Sequence, residues 1–505
     1  MSRVTEPSPA FPLPAVPSRP IRRAAITNLG CKVNQSEMDA VERLLRVRGV
    51  EIAEDGATAD LHVVNTCTVT AVADDKSRKA VRRARRASPD AAVIVTGCSV
   101  QVGGATLAAV DPAARLVANE EKDGLLAEVE RLLGMPAAAN HAPHGPLDAA
   151  LPTLAGVEVE GVADDRARID RTRAYVKVQD GCSFHCTYCI IPRARGPERS
   201  LPPEVVLADV RRALAAGHRE IVLTGINIGT YDGGWSEPGP RGTHARAALS
   251  LAGLVRRILA ETAVERIRLS SIEPQHVDDA LLDAWTGAGA GRCLPHLHLP
   301  LQSGDDGVLR RMGRRYDTAG YARVVERIRA AIPGVAIHAD VIAGFPTEDD
   351  AAFARSLAFV RGLDLAGLHV FRYSARPGTP ATRMEGQVAE AVRRERAAAL
   401  LAETAAARAR FAARASGGRR IVLFEAPADP ADPGAGWLGH AEDYVLIRTA
   451  APDGRSLEGE VGVVAVGGPD PQDGGRAVGR IERLVSRPAG GAIAGRPPPV
   501  VLLPA

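Results

Sequence analysis

Three cysteines lie close together in the segment 182–189, whose sequence is CSFHCTYC: Cys182, Cys186 and Cys189. This C-x3-C-x2-C spacing lets one short loop direct three thiolates at a single metal centre. An iron–sulfur cubane is normally held by four cysteine thiolates. Three local ligands leave one iron open to another molecule, which indicates catalysis rather than iron storage. A structural zinc loop is the alternative, but such loops usually add a second Cys or His pair at a distance, and none follows here.

Three further cysteines each follow a predicted strand: Cys31, Cys67 and Cys98 come after the apolar runs 23–29, 60–65 and 91–96. Loops that leave the C-terminal ends of parallel strands cluster at one edge of an open sheet, where ligands bind. The three thiols can therefore converge on a second cluster, and Gly30 and Gly97 would let the backbone pass close to it. Three buried free cysteines are the alternative. We expect the seventh cysteine, Cys293, to be core packing.

Composition excludes several classes of protein. With 505 residues the chain can form two to four domains, and its formal net charge of +3 does not identify it as a nucleic-acid binder. Seven cysteines are far too few for a disulfide scaffold, which favours a reducing cytoplasm. No stretch approaches the roughly 18 apolar residues of a membrane span. We therefore expect a soluble, cytoplasmic protein.

The pattern of apolar runs predicts an α/β chain in three parts. An open parallel-sheet domain over 21–134 has helices at 35–48, starting near Asn34, at 72–87, starting near Asp74, and at 120–133, with a weak strand at 114–118. An incomplete (β/α)6 barrel with a closing helix covers 166–416, and a small β-domain covers 417–485. Residues 1–20 and 486–505 are predicted as flexible tails and 135–165 as a linker. The barrel strands are predicted at 174–178, 220–224, 265–270, 294–299, 335–342 and 366–371.

With both cysteine sets in place, residues 22 to 465 resemble the methylthiotransferases of the radical S-adenosylmethionine (SAM) superfamily, and Tyr188 fits the loop pattern of that superfamily. The resemblance is strongest to the branch that acts on N6-threonylcarbamoyladenosine beside the tRNA anticodon. The motifs that carry it are NLGCKVNQSE, VVNTCTVT, VTGC, KVQDGCSFHCTYCIIPRARGPERS, EIVLTGINIGTY, RLSSIEP, HLHLPLQSG, DVIAGFPTE and YSARPGTPA.

The resemblance implies two [4Fe-4S] clusters and SAM. Cys182, Cys186 and Cys189 would hold the catalytic cluster that reduces SAM to a 5′-deoxyadenosyl radical, while Cys31, Cys67 and Cys98 would hold an auxiliary cluster that carries the sulfur. The radical would remove hydrogen from C2 of adenine, and a second SAM would supply the methyl group. The implied partners are tRNA, an electron donor such as flavodoxin or ferredoxin, and a sulfur source.

The SAM pocket is expected at the C-terminal ends of the barrel strands, where active sites of such barrels gather. Ordinary loop capping is the alternative for each polar residue there. The candidates for cofactor binding are Tyr188, Thr224, Gly225, Asn227, Ser270, Ser271, Glu273, Gln302, Gly344 and Phe345.

Two features of the sequence concern RNA binding. The segment 76–86 has seven Lys or Arg in a predicted helix, which is either a solvated face or a phosphate-binding surface, and Arg193, Arg195 and Arg199 could also guide RNA. The β-domain stands where the family has its RNA-binding TRAM domain, yet residues 419–483 contain seven Arg and eleven Asp or Glu, a poor composition for binding phosphates.

Three other functions remain open alternatives at this point. Methylthiolation of N6-isopentenyladenosine in tRNA, or of an aspartate on a ribosomal protein, would use the same cysteine sets. A non-catalytic iron–sulfur sensor that binds RNA would not need a SAM pocket.

Overall fold

The computed structural model describes residues 19–134, 172–234 and 249–486. The predicted linker lies outside the described residues, and so do almost all of the two predicted tails. No helix within the described residues is long and apolar enough to cross a membrane. The chain divides into two compact units, of which the first comprises residues up to Ile169 together with Ile190–Gly196, and the second the remainder.

The first unit is built on a parallel sheet of five strands, in the order β2-β1-β3-β4-β5. Helices cover both faces, so β3 and β4 are buried along their whole length, as expected for strands that read as continuous apolar runs. The predicted open α/β domain is confirmed. The elements are β1 (Arg23–Asn28), α1 (Lys32–Val47), β2 (Glu51–Ala53), β3 (Leu61–Thr66), α2 (Ala71–Ala87), β4 (Ala92–Gly97), α3 (Cys98–Val110), β5 (Arg115–Val117), α4 (Leu125–Leu132) and α5 (Ile191–Arg195).

Three details of this unit differ from expectation. Helix α1 starts at Lys32 rather than near Asn34, which is buried inside the helix, where its carbonyl accepts a hydrogen bond from Asn65. Helix α2 starts at Ala71, because the side chain of Thr70 caps it by accepting from the Ala73 N–H. Helix α5 belongs to this unit although the sequence pattern assigned it to the barrel.

The second unit contains six parallel strands that confirm the predicted incomplete barrel. They form two three-stranded sheets, β10-β9-β6 and β11-β12-β13, which the bridges Ile267–Cys293 and Ser271–His298 connect. Cys293 is buried in the core between strands and helices, as predicted. The elements are β6 (Arg173–Lys177), β7 (Gln179–Asp180), β8 (Arg199–Ser200), α6 (Pro203–Ala215), β9 (Glu220–Thr224), α7 (Leu251–Glu261), β10 (Arg266–Leu269), α8 (Asp279–Asp283), β11 (His296–His298), α9 (Asp306–Met312), α10 (Thr318–Ala331), β12 (Ala336–Ala343), α11 (Asp350–Gly362), β13 (Gly367–Arg372) and α12 (Glu390–Arg414).

The predicted small β-domain is a closed five-stranded barrel, in the order β14-β15-β16-β18-β17. Two of its strands, β15 and β18, were not predicted. Buried arginines from the larger barrel fasten it, since Arg266 donates to the Ile421 carbonyl and Arg268 to the Ala441 carbonyl. The strands are β14 (Arg419–Pro427), β15 (Trp437–His440), β16 (Leu446–Thr449), β17 (Val461–Asp470) and β18 (Asp473–Leu484).

Candidate active site

The loop with Cys182, Cys186 and Cys189 follows β7 in the second unit and is fixed by hydrogen bonds at both ends. At its start, Gln179 Nε2 donates to the Gly181 carbonyl over 2.8 Å. Near its end, the Cys189 N–H donates to the Cys186 carbonyl over 3.0 Å. None of the three cysteines is fully buried. Hydrogen bonds therefore hold the loop in place while its thiols stay accessible to a ligand.

Two donors point at sulfurs of this loop. The backbone N–H of Phe184 lies 3.4 Å from Cys182 Sγ, and Arg314 Nη1 lies 3.3 Å from Cys186 Sγ. Arg314 also forms an ion pair with Glu273, one of the predicted pocket residues. Sequence reasoning missed Arg314 because it stands among the several arginines of RRMGRRY, where nothing distinguishes one guanidinium from the next.

The surroundings of the cysteines fit a metal cluster. Burial raises the pKa of Cys182, so a bare thiolate is disfavoured there unless a bound cation compensates its charge. Three accessible thiols in one short loop form a donor set that fits an iron–sulfur cluster with one open iron.

Three predicted SAM contacts carry buried polar atoms that no described residue satisfies. They are Thr224 Oγ1 at the end of β9, Asn227 Oδ1 in the loop after it, and Ser270 Oγ just after β10. A buried polar group without a partner costs about 1–3 kcal/mol, so three such groups on neighbouring strands call for a bound ligand or ordered water. These atoms fit a polar ligand at the C-terminal ends of the strands.

The neighbouring predicted residues line the same strand ends. A Cβ at Gly225 would lie 2.9 Å from Gln179 Oε1, so the position needs glycine. Ser271 pairs with His298 across the joint between the two sheets. Gln302 adopts a φ of 69°, a region that side chains other than glycine rarely occupy and that is typical of functional sites.

The last two predicted contacts, Phe345 and Gly344, follow strand β12. Phe345 is fully buried, and its ring packs edge to face with that of Tyr188 at 6.4 Å between centroids. Gly344 has a φ of 73°, and its N–H donates to Glu348 Oε1 over 2.8 Å. Phe345 therefore contacts the ring beside Cys189, while the cofactor role of both residues stays a prediction.

The other three cysteines lie at the ends of adjacent strands in the first unit. Cys31 caps α1 after β1, Cys67 follows β3, and Cys98 opens α3 after β4. The pKa of Cys67 is raised to about 11, mainly by burial and to a smaller extent by the charges of Cys98 and Cys31. All three cysteines lie at the C-terminal ends of the neighbouring strands β1, β3 and β4, at one edge of the sheet. Their role as cluster ligands remains a proposal.

Two glycines make room for this arrangement. A Cβ at Gly97 would lie 2.4 Å from the Thr66 carbonyl, and the residue has a φ of 99°. A Cβ at Gly30 would lie within 2.4 Å of three atoms of Asn34. Neither position tolerates another residue, which agrees with their proposed role beside a bulky centre.

A buried polar network lies behind these cysteines, and sequence reasoning missed all of it. Glu37 pairs with both Lys122 and Arg195, and all three side chains are at most 4% exposed. Asn119 Nδ2 lies 3.5 Å from Cys98 Sγ and donates to the Ala194 carbonyl over 2.6 Å. The network connects α1, α5 and the turn before α4 at the edge where the cysteines lie.

The network corrects one prediction. Arg195 was expected to face RNA, but it is buried against Glu37 and Asn34 within the first unit. Arg193 and Arg199 are exposed.

Helix α2 presents the predicted basic stripe. Lys76, Lys79, Arg82 and Arg86 are exposed at helical spacing and have no ion-pair partner among the described residues. Val69 and Val72, at the start of the helix, are also about half exposed, at 48% and 54%. A cationic and partly apolar face thus adjoins Cys67, which suits a nucleic acid with exposed bases.

Comparison with known proteins adds family matches and relatives. A family model described as "Uncharacterized protein family UPF0004" matches residues 23–119, and one for the Radical SAM superfamily matches residues 176–360. Threonylcarbamoyladenosine tRNA methylthiotransferase MtaB from Bacillus subtilis (strain 168) is 38% identical over 378 residues, 75% of this chain and 79% of that protein.

Two other relatives carry related names. The Thermotoga maritima protein with the same MtaB name is 34% identical over 406 residues, 80% of this chain and 87% of that protein. A tRNA-2-methylthio-N(6)-dimethylallyladenosine synthase from Maricaulis maris (strain MCS10) is 34% identical over 414 residues, with the same two coverages of 80% and 87%.

Proposed function

Because the chain belongs to the radical SAM methylthiotransferase family, we propose that it converts N6-threonylcarbamoyladenosine beside the tRNA anticodon to its 2-methylthio derivative. The observation that carries the choice of nucleoside is the 38% identity, over most of both chains, to a relative named for that substrate. The motifs GCKVNQ, TYCIIPRARGP and RLSSIEP support the same branch. The chain is thus an enzyme that methylthiolates tRNA, and the nucleoside is our proposal.

The enzyme works with two [4Fe-4S] clusters and SAM, as its family does. We assign Cys182, Cys186 and Cys189 to the cluster that binds SAM, and Cys31, Cys67 and Cys98 to the auxiliary cluster. When bound, these groups supply the one-electron chemistry that replaces an aromatic C–H with a C–S bond, together with the sulfur and the methyl group. An adenine C2–H is not acidic, so no side-chain base of the protein could substitute for them.

The protein's own residues bind SAM and orient the reacting groups. Thr224, Asn227 and Ser270 would use their unsatisfied buried oxygens to hold polar groups of SAM at the strand ends. Arg314, held by Glu273, donates toward Cys186 Sγ and places a positive charge beside the loop. Tyr188, whose ring packs against Phe345, would help to exclude water from the reacting groups beside the loop.

Substrate binding would use the basic stripe on α2. Lys76, Lys79, Arg82 and Arg86 would contact tRNA phosphates, and the exposed Val69 and Val72 would offer apolar surface near Cys67. The reaction also needs an external electron donor, such as flavodoxin or ferredoxin, and a source of sulfur. We place the enzyme in the cytoplasm, where these partners and tRNA occur.

A second candidate substrate is N6-isopentenyladenosine, also called dimethylallyladenosine. The 34% identical Maricaulis maris relative is named for it and matches over the same share of both chains as the Thermotoga maritima protein. A non-catalytic sensor is disfavoured, because it would have no use for the three unsatisfied oxygens at the strand ends.

Nucleoside mass spectrometry distinguishes these substrates. The chain is expressed in a bacterium that lacks its own enzymes for both 2-methylthio nucleosides, and total tRNA is digested and analysed. We expect the methylthio derivative of threonylcarbamoyladenosine to appear and that of isopentenyladenosine to stay absent. The variant Cys182→Ala serves as the matched control and should give neither. Appearance of only the isopentenyl product would overturn the proposed substrate.

A further inference from the structure

Within the described residues, one group of metal-ligating side chains brings three ligand atoms within 4.8 Å of one another: His298, Asp340 and His369. Each comes from a different strand of one sheet, β11, β12 and β13. Asp340 is in register with His369, and His298 is in register with His338, two residues before Asp340. Because side chains alternate along a strand, all three point to the same face of the sheet.

That face is the interior of the incomplete barrel. The strand residues of opposite parity, Leu297, Ala339 and Leu368, belong to the hydrophobic core packed against the helices. The three polar side chains therefore face inward, away from the helices. The methylthiotransferase mechanism proposed above makes no use of them.

The distances between these atoms match those of ligands around one ion. Asp340 Oδ1 lies 2.8 Å from His298 Nε2 and 3.2 Å from His369 Nδ1. Two ligand atoms each about 2.1 Å from an ion and about 90° apart are about 3.0 Å from each other. Two imidazoles and one carboxylate that leave further positions open form a set typical of divalent transition metals.

The three proposed ligand side chains are accessible to solvent. The side chains of His298, Asp340 and His369 are 12%, 19% and 44% exposed, so an ion and its waters can reach them. His369 also lines a cavity of about 260 Å³ between the barrel, α12 and the small β-domain.

We propose that His298 Nε2, Asp340 Oδ1 and His369 Nδ1 bind one divalent transition-metal ion of the Mn²⁺, Fe²⁺ or Zn²⁺ class, as a mononuclear centre separate from both clusters. Binding needs no redox step. Each imidazole uses its unprotonated nitrogen toward the ion and carries its proton on the other ring nitrogen, so the protons now shared with Asp340 move or leave. The ion joins three neighbouring strands and keeps open positions for water or a substrate group.

Mn²⁺ is the probe of choice for testing this site, because it prefers oxygen and imidazole ligands and competes poorly for thiolates. The cluster-loaded full chain is titrated with Mn²⁺ anaerobically, and free Mn²⁺ is followed by its EPR signal. We expect about one bound Mn²⁺ per chain. We also expect His369→Ala, a change at a half-exposed side chain, to weaken binding about tenfold or more. The thermal midpoint should rise with Mn²⁺ in the parent protein and not in the variant.

A matched control is available in the same unit. His440 Nδ1 lies 2.9 Å from Glu425 Oε1, a single histidine on a single carboxylate, so His440→Ala should leave Mn²⁺ binding unchanged. If the parent protein binds no Mn²⁺, or if His369→Ala binds it as tightly, the three residues are only a hydrogen-bonded group and the proposal is wrong. Either result would leave the methylthiotransferase assignment intact, since the mechanism proposed above gives none of these residues a role.

Discussion

The two cysteine sites of this chain are built in opposite ways. Cys182, Cys186 and Cys189 come from one loop of eight residues, whereas Cys31, Cys67 and Cys98 are spread over 68 residues and come from three strand ends. The first set is brought together by sequence spacing, and hydrogen bonds from Thr187 to the Met312 and Arg311 carbonyls hold the loop in place. The second set exists only if the parallel sheet forms with β1, β3 and β4 as neighbours. One site therefore depends on local spacing and the other on tertiary structure.

The residues that surround the two cysteine sites also differ. The loop site meets one cationic donor, Arg314, and a backbone N–H. The strand-end site rests on a buried network of charges, Glu37 with Lys122 and Arg195, and on two glycines that no other residue can replace. Substitutions far from any cysteine should thus damage the strand-end site more readily than the loop site.

The largest expected effect is on iron content and activity, which distinguish the two cysteine sites. Reconstituted anaerobically, the parent should hold about eight irons per chain, as two four-iron clusters require. Changing Cys31, Cys67 and Cys98 to Ala should halve the iron and abolish methylthiolation, but leave reductive cleavage of SAM to 5′-deoxyadenosine intact. Changing Cys182, Cys186 and Cys189 to Ala should also halve the iron and abolish both activities. Iron assay and product chromatography measure these outcomes.

The control for this experiment is Cys293→Ala, the buried cysteine of the core, which should keep full iron and both activities. Zinc in place of iron, or iron content that the first triple change leaves unaltered, would contradict the assignment of two clusters.

The next largest effect tests the buried network. Glu37→Gln removes the carboxylate that pairs with both Lys122 and Arg195 in the buried network. Breaking a buried pair in this way costs about 3–5 kcal/mol. We expect this destabilisation to appear as faster native-state amide exchange in α1 and β3. We also expect the strand-end cluster, rather than the loop cluster, to be lost.

Glu51→Gln is the matched control for that substitution. Its partner Arg23 lies 3.1 Å away, and both side chains are largely exposed, at 64% and 45%. The cost should be about 0.5 kcal/mol or less. Equal effects of the two substitutions would show that the buried network does not stabilise the first unit.

The comparison also explains what could be predicted from sequence. The loop site needs only spacing, and the strand-end site needs only the order of apolar runs, so both cysteine sets could be found. Arg195 was misread because a charged residue near a site looks the same in sequence whether it faces RNA or a buried Glu37. Asn119 and Lys122 could not be found, since their partners are remote in sequence and only the folded chain brings them together.

A third prediction contrasts the basic stripe with the acidic β-domain. Changing Lys76, Lys79, Arg82 and Arg86 to Ala should weaken tRNA binding and reduce the slope of log affinity against log salt by about 3, at 0.7 to 0.9 per phosphate contact. Fluorescence anisotropy at several salt concentrations measures the slope.

Arg480 and Arg483, exposed on β18, provide the comparison within the acidic domain. Changing both to Ala should leave the slope unchanged if that domain does not bind phosphates. A fall in slope with this pair, and none with the stripe, would reverse the assignment of the RNA-binding surface.

The smallest expected effect compares the two donors that reach a cysteine sulfur. Arg314, a cation 3.3 Å from Cys186 Sγ, stabilises the more negative reduced cluster, so Arg314→Met should lower the midpoint potential by about 60 mV, which corresponds to roughly 1.4 kcal/mol for one electron. Asn119 is neutral and lies 3.5 Å from Cys98 Sγ, so Asn119→Ala should shift the other cluster less. EPR-monitored redox titration measures each shift, in proteins that keep only the cluster concerned. Arg314→Lys should restore most of the potential, because it keeps the charge. If it does not, the geometry of the guanidinium rather than its charge controls the loop site.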